Sequence, residues 1–191
     1  MAEYESLVEK VAIHVSPCPE PAILDALKNT VRDFCKKTKG WVFDVPEVLL
    51  DPDVMNYELD IPDQSTVIHV WGVDGRTGRY SETTDYYLSF PNTLVFNERV
   101  PQRSSLKPLV SLMPGLASSE FPDYLAEYFS DYLVSGAVAY LQMQPFRDWS
   151  QPNAAEIHLQ KYAAGVREAE RLRDQGLNLS KIKARVKAQY I

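Results

Sequence analysis

The sequence predicts an α+β fold: a helical bundle interrupted by a small antiparallel β-sheet or sandwich and followed by an extended C-terminal arm. Three observations predict it. Apolar residues recurring at three- and four-residue steps cluster toward the two ends of the chain. Between them, residues 41–114 break into short β-branched and aromatic segments separated by Pro, Asp, Asn and Gly. Last, residues 181–191 carry basic charge and no acid. The expected organisation is N-terminal helices over 1–40, a β-rich insertion over 41–114, a helical hairpin over 115–175 and a basic arm over 176–191.

Leu7, Val8, Val11, Ala12 and Val15 give a first short amphipathic helix. A second begins at "PEPAILDALKN", where Pro21 suits a first turn that has no use for its missing N–H and Glu20 lies near the positive helix end. Leu24, Leu27, Val31, Phe34 and Cys35 share one face, Lys36, Lys37 and Lys39 gather at the C-terminus, and Gly40 is the expected stop. In the middle, "WVFDVPEVLL", "VMNYELDI", "TVIHVWGV", "DYYLSF", "NTLVFN" and "LVSLMP" read as five or six strands, and the Asp-Gly of "VDGR" as a tight turn.

Helix resumes after "GLASSEFP", with Ser118 and Ser119 as capping candidates and Pro122 in the first turn. Leu125, Tyr128, Phe129, Tyr132, Gly136, Ala139, Tyr140 and Met143 step along one side. In the second half Leu133, Val134, Ala137, Val138 and Leu141 make the other side apolar too, which predicts burial all round. A turn at residues 150–153 leads to a last helix with Ala155, His158, Leu159, Tyr162, Ala163 and Val166 inward, ended by Gly176. A connection of about ten residues makes the pair an antiparallel hairpin. Ser135, Gly136, Ala139 and Tyr140 mark a close-packed section that serves either helix packing within the chain or contact with another copy. In the arm, Ile182, Ala184, Val186, Ala188 and Tyr190 alternate with Lys181, Lys183, Arg185, Lys187 and Gln189, a strand period, although Ile182, Val186 and Tyr190 also fit helix spacing.

Composition excludes several classes of function. Hydrophobic and charged shares of 45% and 24%, with eleven Tyr, are those of a folded globular chain of 191 residues. The opening "MAEYESLVEK" has three Glu ahead of any apolar run, so no signal peptide is expected, and the uncharged stretch 132–146 is too short and polar to span a bilayer. Cys18 and Cys35 form no CxxC or Cys/His cluster, and Cys35 sits on an apolar stripe as a core residue. His14, His69 and His158 are scattered without carboxylates at ligand spacing, so no metal site is expected. Nucleophile-elbow, phosphate-loop and dinucleotide signatures are missing, so no cofactor and no catalytic residues are assigned. The net charge is −6, and residues 175–191 hold four basic residues and no acid, so the remainder is more negative by those four charges. That body repels phosphate, and no basic run interleaved with aromatics precedes the tail, which disfavours nucleic-acid recognition. The segregated charge points to an arm that meets a partner, with a solvated basic tail as the alternative.

Two stretches carry a resemblance. "CPEPAILDALKNTVRDFCKKTKGW" (18–41) and "FPDYLAEYFSDYLVSGAVAYLQMQPFRDWSQPNAAEIHLQKYAAGVREAE" (121–170) resemble the head-to-tail adaptor (connector) proteins of tailed bacteriophages. The shared pattern is a Pro-bounded helix ending in Phe-Cys with a following Trp, then a β region, a Pro-led helix with Gly-Ala, a Pro-x-x-x-Trp turn, and a helix with small residues and Arg/Glu. The resemblance implies a non-enzymatic virion protein of the head–tail junction, assembled in the host cytoplasm. It implies a homo-oligomeric ring, a dodecamer, beneath the portal protein, contacting a downstream tail or neck protein and leaving a lumen for viral DNA that is not read by sequence. Lys181, Ile182, Lys183, Arg185, Val186, Lys187, Tyr190 and Ile191 are then the portal-docking arm, acting by strand or short-helix addition. A small-ligand or enzymatic α+β domain, or a basic-tailed nucleic-acid binder, are the competing classes.

Overall fold

The structure, a computed structural model, describes residues 1–75, 78–100 and 102–175. The fold is mixed α+β, as the periodicities predict, and the described residues form four helices and ten strands. The helices are α1 (Glu5–Val15), α2 (Glu20–Thr38), α3 (Asp123–Gln142) and α4 (Pro152–Gln175). A two-residue strand precedes them, β1 (Ala2–Glu3), pairing antiparallel with β10 (Glu120–Phe121). That pairing lays Tyr4 on Phe121 with ring centroids 4.9 Å apart, and it ties the start of the chain to the start of α3.

Helix ends show where local signals held. Pro21 lies in the first turn of α2 with Glu20, and Lys36 and Lys37 in its last. The expected stop at Gly40 is corrected by one residue: Lys39 is the left-handed cap (φ 50°), and its N–H donates to the Cys35 carbonyl at 2.8 Å. Tertiary bonds hold that unfavourable conformation, because the Lys39 carbonyl accepts the Ser111 hydroxyl at 2.7 Å. At α3 the expected serine cap is also corrected. Pro122 occupies the N-cap position, while the Ser118 hydroxyl donates to the Glu120 carbonyl at 2.7 Å within the preceding turn. Gly176, the expected stop of α4, lies outside the described residues, as does the whole arm.

The helices share one core. Leu7, Val11 and Val15 of α1, Ile23, Leu27, Val31 and Phe34 of α2, and Leu125, Phe129 and Leu133 of α3 are buried together with Tyr162 of α4. In α3 the run 133–139 is buried on every side, as its all-round apolar character predicts. The one-sided rows were less faithful: Tyr128, Tyr140, Met143 and Leu159 are exposed, whereas Gly165 and Ala169 are buried. Helices α3 and α4 run antiparallel. The Gln151 N–H donates to the Gln142 carbonyl at the hairpin end, and further along the Tyr132 hydroxyl donates to Glu168 at 2.8 Å.

The β region contains more strands than the sequence shows. Its main sheet is built on two long antiparallel strands, β5 (Ser65–Gly75) and β9 (Ser104–Pro114). Short strands β2 (Val42–Asp44) and β3 (Val48–Leu50) pair in turn with the far side of β9, and β6 (Gly78–Tyr80) pairs with β5. A second sheet orders β4 (Asn56–Glu58), β8 (Thr93–Phe96) and β7 (Tyr86–Ser89). Asp74 and Gly75, read as a tight turn, are corrected to ladder residues of β5, opposite positions 79 and 78 of β6.

Two register shifts in β5, between Val67 and His69 and between Val70 and Gly72, position the candidate site. Each bulge absorbs one residue, so Val67, Val70 and Val73, three apart, all reach the β core despite the two-residue period of a strand. The re-aimed Ile68 packs instead against the helical core, alongside Met113 of β9. The Arg32 guanidinium of α2 donates to the Pro114 carbonyl, a further tie between helices and sheet.

Candidate functional site

At the seam between bundle and sheet, the last turns of α4 meet the C-terminus of α2, the first turns of α3 and the edge strand β2. They enclose an open cleft of about 290 Å³ lined by Phe34, Thr38 and Gly40, by Val42, by Tyr124, Tyr128 and Phe129, and by Ala169, Leu172 and Arg173. A smaller groove continues from it over Val42, Trp71, Leu109, Arg173 and Asp174. The lining is mostly apolar, and Tyr128 is 59% exposed despite standing in it.

Arg173 organises the rim. Its guanidinium donates to the Thr38 carbonyl at 2.6 Å, one of the carbonyls that the end of α2 leaves without an intrahelical donor. It also donates to Asp174 at 2.7 Å, and that charged bond holds Asp174 below and Arg173 above their ordinary pKa values. The same guanidinium stands 5.5 Å from the Trp71 ring centroid, and the Lys39 ammonium stands 5.8 Å from it. The Trp71 indole N–H donates to the Ser111 hydroxyl at 2.7 Å, which donates on to the Lys39 carbonyl, so the ring is fixed. His69 stacks edge-on at 4.6 Å, and partial burial together with Lys39 and Arg173 lowers its pKa. Positions 39, 71 and 173 are remote in sequence and converge here, so two cations meet one aromatic ring although no basic run in the sequence before the tail is interleaved with aromatics.

Tyr124 lies at the floor. Burial pushes its phenol far above the usual range, and its hydroxyl has no hydrogen-bond partner among the described residues. A Cβ at Gly40 would stand 3.3 Å from that oxygen. The Phe34 ring behind it packs on Phe129 at 5.3 Å and Tyr162 at 6.1 Å, and the neighbouring Cys35 thiol is buried and pushed up to about 12. Such a thiol is protonated and inert at neutral pH, in keeping with a core role.

The residues singled out from sequence divide. The arm residues Lys181, Ile182, Lys183, Arg185, Val186, Lys187, Tyr190 and Ile191 lie outside the described residues. Ser135, Gly136 and Ala139 are buried inside the chain, with the Ser135 hydroxyl donating to the Asp131 carbonyl at 2.8 Å. Gly136 admits its neighbours closely: a Cβ there would stand 2.6 Å from Thr30 Cγ2 and 2.7 Å from Tyr162 Cδ2. Tyr140 is 49% exposed and lines a second cleft together with Asp33, Lys37 and Tyr162. There Tyr162 donates to Asp33 at 2.8 Å, and Lys37 pairs with the same carboxylate oxygen at 2.6 Å. The cleft at the α4 terminus escaped the sequence reading. Its one local signal was the aromatic pair Tyr124 and Tyr128 in the opening turns of α3, four apart on one face.

His14 and His158 approach with ring centroids 5.1 Å apart, and no group of three or more His, Cys, Asp or Glu among the described residues could hold a metal ion. No described helix is long and apolar enough to cross a membrane. No protein-family model matches the chain, and no curated protein matches it.

Proposed function

We propose that this chain is a head-to-tail adaptor of a tailed bacteriophage: a subunit of a closed ring, twelve copies as the resemblance implies, that docks on the portal partly through residues 181–191 and joins it to the tail. The single observation that carries the reading is where the two resembling stretches fall. Residues 18–41 cover α2, residues 121–170 cover α3 and most of α4, and these helices pack on one core with the β region inserted between them. That is the bundle-plus-β arrangement the resemblance implies. The last described turn of α4 lies at the seam, where Arg173 meets Thr38 and Trp71. A ring needs a heterologous contact, one patch on a different patch of the neighbour, and Tyr140 with its cleft is an exposed candidate for one side. An acidic body lining a DNA passage would suppress phosphate binding by like charge.

The test is to mix the chain with its cognate portal and measure mass. A ring-on-ring assembly is expected, and no association would sink the reading. A chain lacking residues 181–191 is expected to lose portal docking while keeping its cooperative unfolding.

A further inference from the structure

We propose that copies of this chain bind one another in series, with Phe146 at the tip of the α3–α4 hairpin of one copy entering the apolar cleft at the seam of the next. The contact rests on the ring reading and supplies both of its halves. It is measured on the isolated chain, so a failed portal docking and a failed self-contact are separate results.

Phe146 stands where the fold of a single copy has no use for it. It lies in the turn between α3 and α4 with a left-handed backbone, φ 58°, a conformation that glycine adopts freely and a bulky residue does not. Its ring is fully exposed and belongs to neither hydrophobic core. The isolated fold therefore bears the strain and gains no burial from it, which points to a use outside the chain. Tyr140 and Met143 precede it, exposed, at the end of α3. Ile13 of α1 and Ile157 of α4 are exposed at the same end, where the His14 and His158 rings meet and the Gln142 amide donates to the His14 carbonyl. Exposed apolar side chains gathered at one end of a bundle mark a contact surface.

The cleft has the room and the lining for that ring. Its volume is about 290 Å³, whereas an apolar cavity of about 150 Å³ already holds benzene. Phe34, Val42, Tyr128, Phe129 and Leu172 wall it, and Val42 and Tyr128 are themselves exposed there. A chain cannot fill its own cleft with its own tip. Tyr124 and Tyr128 stand in the first turns of α3 and Phe146 lies beyond its last, so at about 1.5 Å per residue the two features are roughly 20–30 Å apart. Complementary patches at opposite ends of one subunit make a heterologous contact, which passes from copy to copy and closes into a ring when the rotation permits. Charge agrees with the pairing: Asp148 is exposed two residues after Phe146, and Lys39 at the rim faces the Trp71 ring rather than a carboxylate.

Sedimentation of the isolated chain and of two variants tests this. Phe146→Gly removes the ring and suits the left-handed backbone, and Val42→Glu sets a carboxylate in the cleft wall at an exposed edge position. The full chain is expected to form trimers and larger species by about 1 mM, and each variant alone to associate at least about thirtyfold more weakly. Phe146→Gly is also expected to keep or raise the unfolding midpoint, because the ring serves no contact within the chain. Mixing the two variants is the decisive arm, since one keeps its cleft and the other its tip: a one-to-one pair is expected and nothing larger. A full chain that stays monomeric at about 1 mM overturns the proposal, and so does one that stops at dimers, whose contact is then isologous. Phe146→Gly assembling like the full chain, or a mixture of two folded variants that holds no pairs, overturns it as well.

Discussion

Gly165 of α4 faces Tyr132 of α3, and replacing it by Ala sets two known effects against each other. Helix propensity favours Ala over Gly by about 1 kcal/mol in a helix interior. Packing opposes it, because a Cβ at position 165 would stand 2.3 Å from Tyr132 Cγ, 2.5 Å from its Cβ and 2.8 Å from its Cδ1. Tyr132 Cβ is bonded to the backbone of α3, so no rotamer change removes the collision and the two helices must separate. Overpacking of this kind costs about 1–3 kcal/mol, and the rigid neighbour puts this case at or above the upper end. The expected net loss for Gly165→Ala is about 2 kcal/mol or more, at least roughly 4–8 °C in Tm for a chain of this size. Urea denaturation followed by far-UV circular dichroism gives the value directly. The partner substitution supplies the decisive sign: in a Tyr132→Gly background the Cβ, Cγ and Cδ1 that collide are all removed, and adding Gly165→Ala is expected to stabilise that variant by about 1 kcal/mol. A stabilising Gly165→Ala in the unmodified chain would refute the close-packed crossing.

The remaining expectations concern the seam and the titrating groups. Arg173→Ala removes the donor to the Thr38 carbonyl and the cation beside Trp71, with an expected cost of about 1–2 kcal/mol and a shift in tryptophan emission; unchanged emission and stability would remove Arg173 from its organising role. Cys18 is partly exposed and Cys35 is buried with its pKa raised to about 12, so a thiol reagent at pH 8 is expected to modify one thiol in the native protein and both after unfolding. Rapid native modification of both thiols would contradict that core. Burial lowers the pKa of His69 and of His158 below 6.5, with Lys39 and then Arg173 adding to it at His69 and His14 and then Lys161 at His158. The unfolded chain then binds protons first as pH falls, so the stability these neutral rings give is intact above about 6.5 and is lost toward the lower folded-state values. Unfolding midpoints are expected to drop between pH 7 and 5, and a His69→Asn, His158→Asn double variant should flatten that slope; an unchanged slope would assign it to other groups.

Much of the architecture was open to sequence reasoning because its causes are local. Pro21, Glu20 and the lysines at positions 36 and 37 are signals confined to one helix, and α2 follows them within a residue. The buried run of α3 was visible because it is apolar in every direction, which no choice of neighbour can contradict. The one-sided stripes failed at Tyr128, Tyr140 and Leu159. Periodicity says which residues share a face but not how wide the covering neighbour is, and at the helix crossing Gly165 and Ala169 are drawn inward while these bulky residues stay outside.

The three-residue spacing of Val67, Val70 and Val73 is similarly ambiguous on its own. Two bulges make it a strand face, and bulges arise from pairing with β9 about forty residues away. The candidate site depends on such pairings throughout, since Lys39, Trp71, Tyr124 and Arg173 come from four separate stretches of chain. Sequence by itself determined the order of the four helices, the β-rich stretch between them, the burial of Cys35 and the uneven spread of charge along the chain, because periodicity, capping and charge act over a few residues. Tertiary structure alone decided which glycines receive an aromatic ring, which tyrosines are left outside and where the α4 terminus meets the sheet. Those outcomes are set by distances between atoms far apart in the chain, which no local pattern encodes.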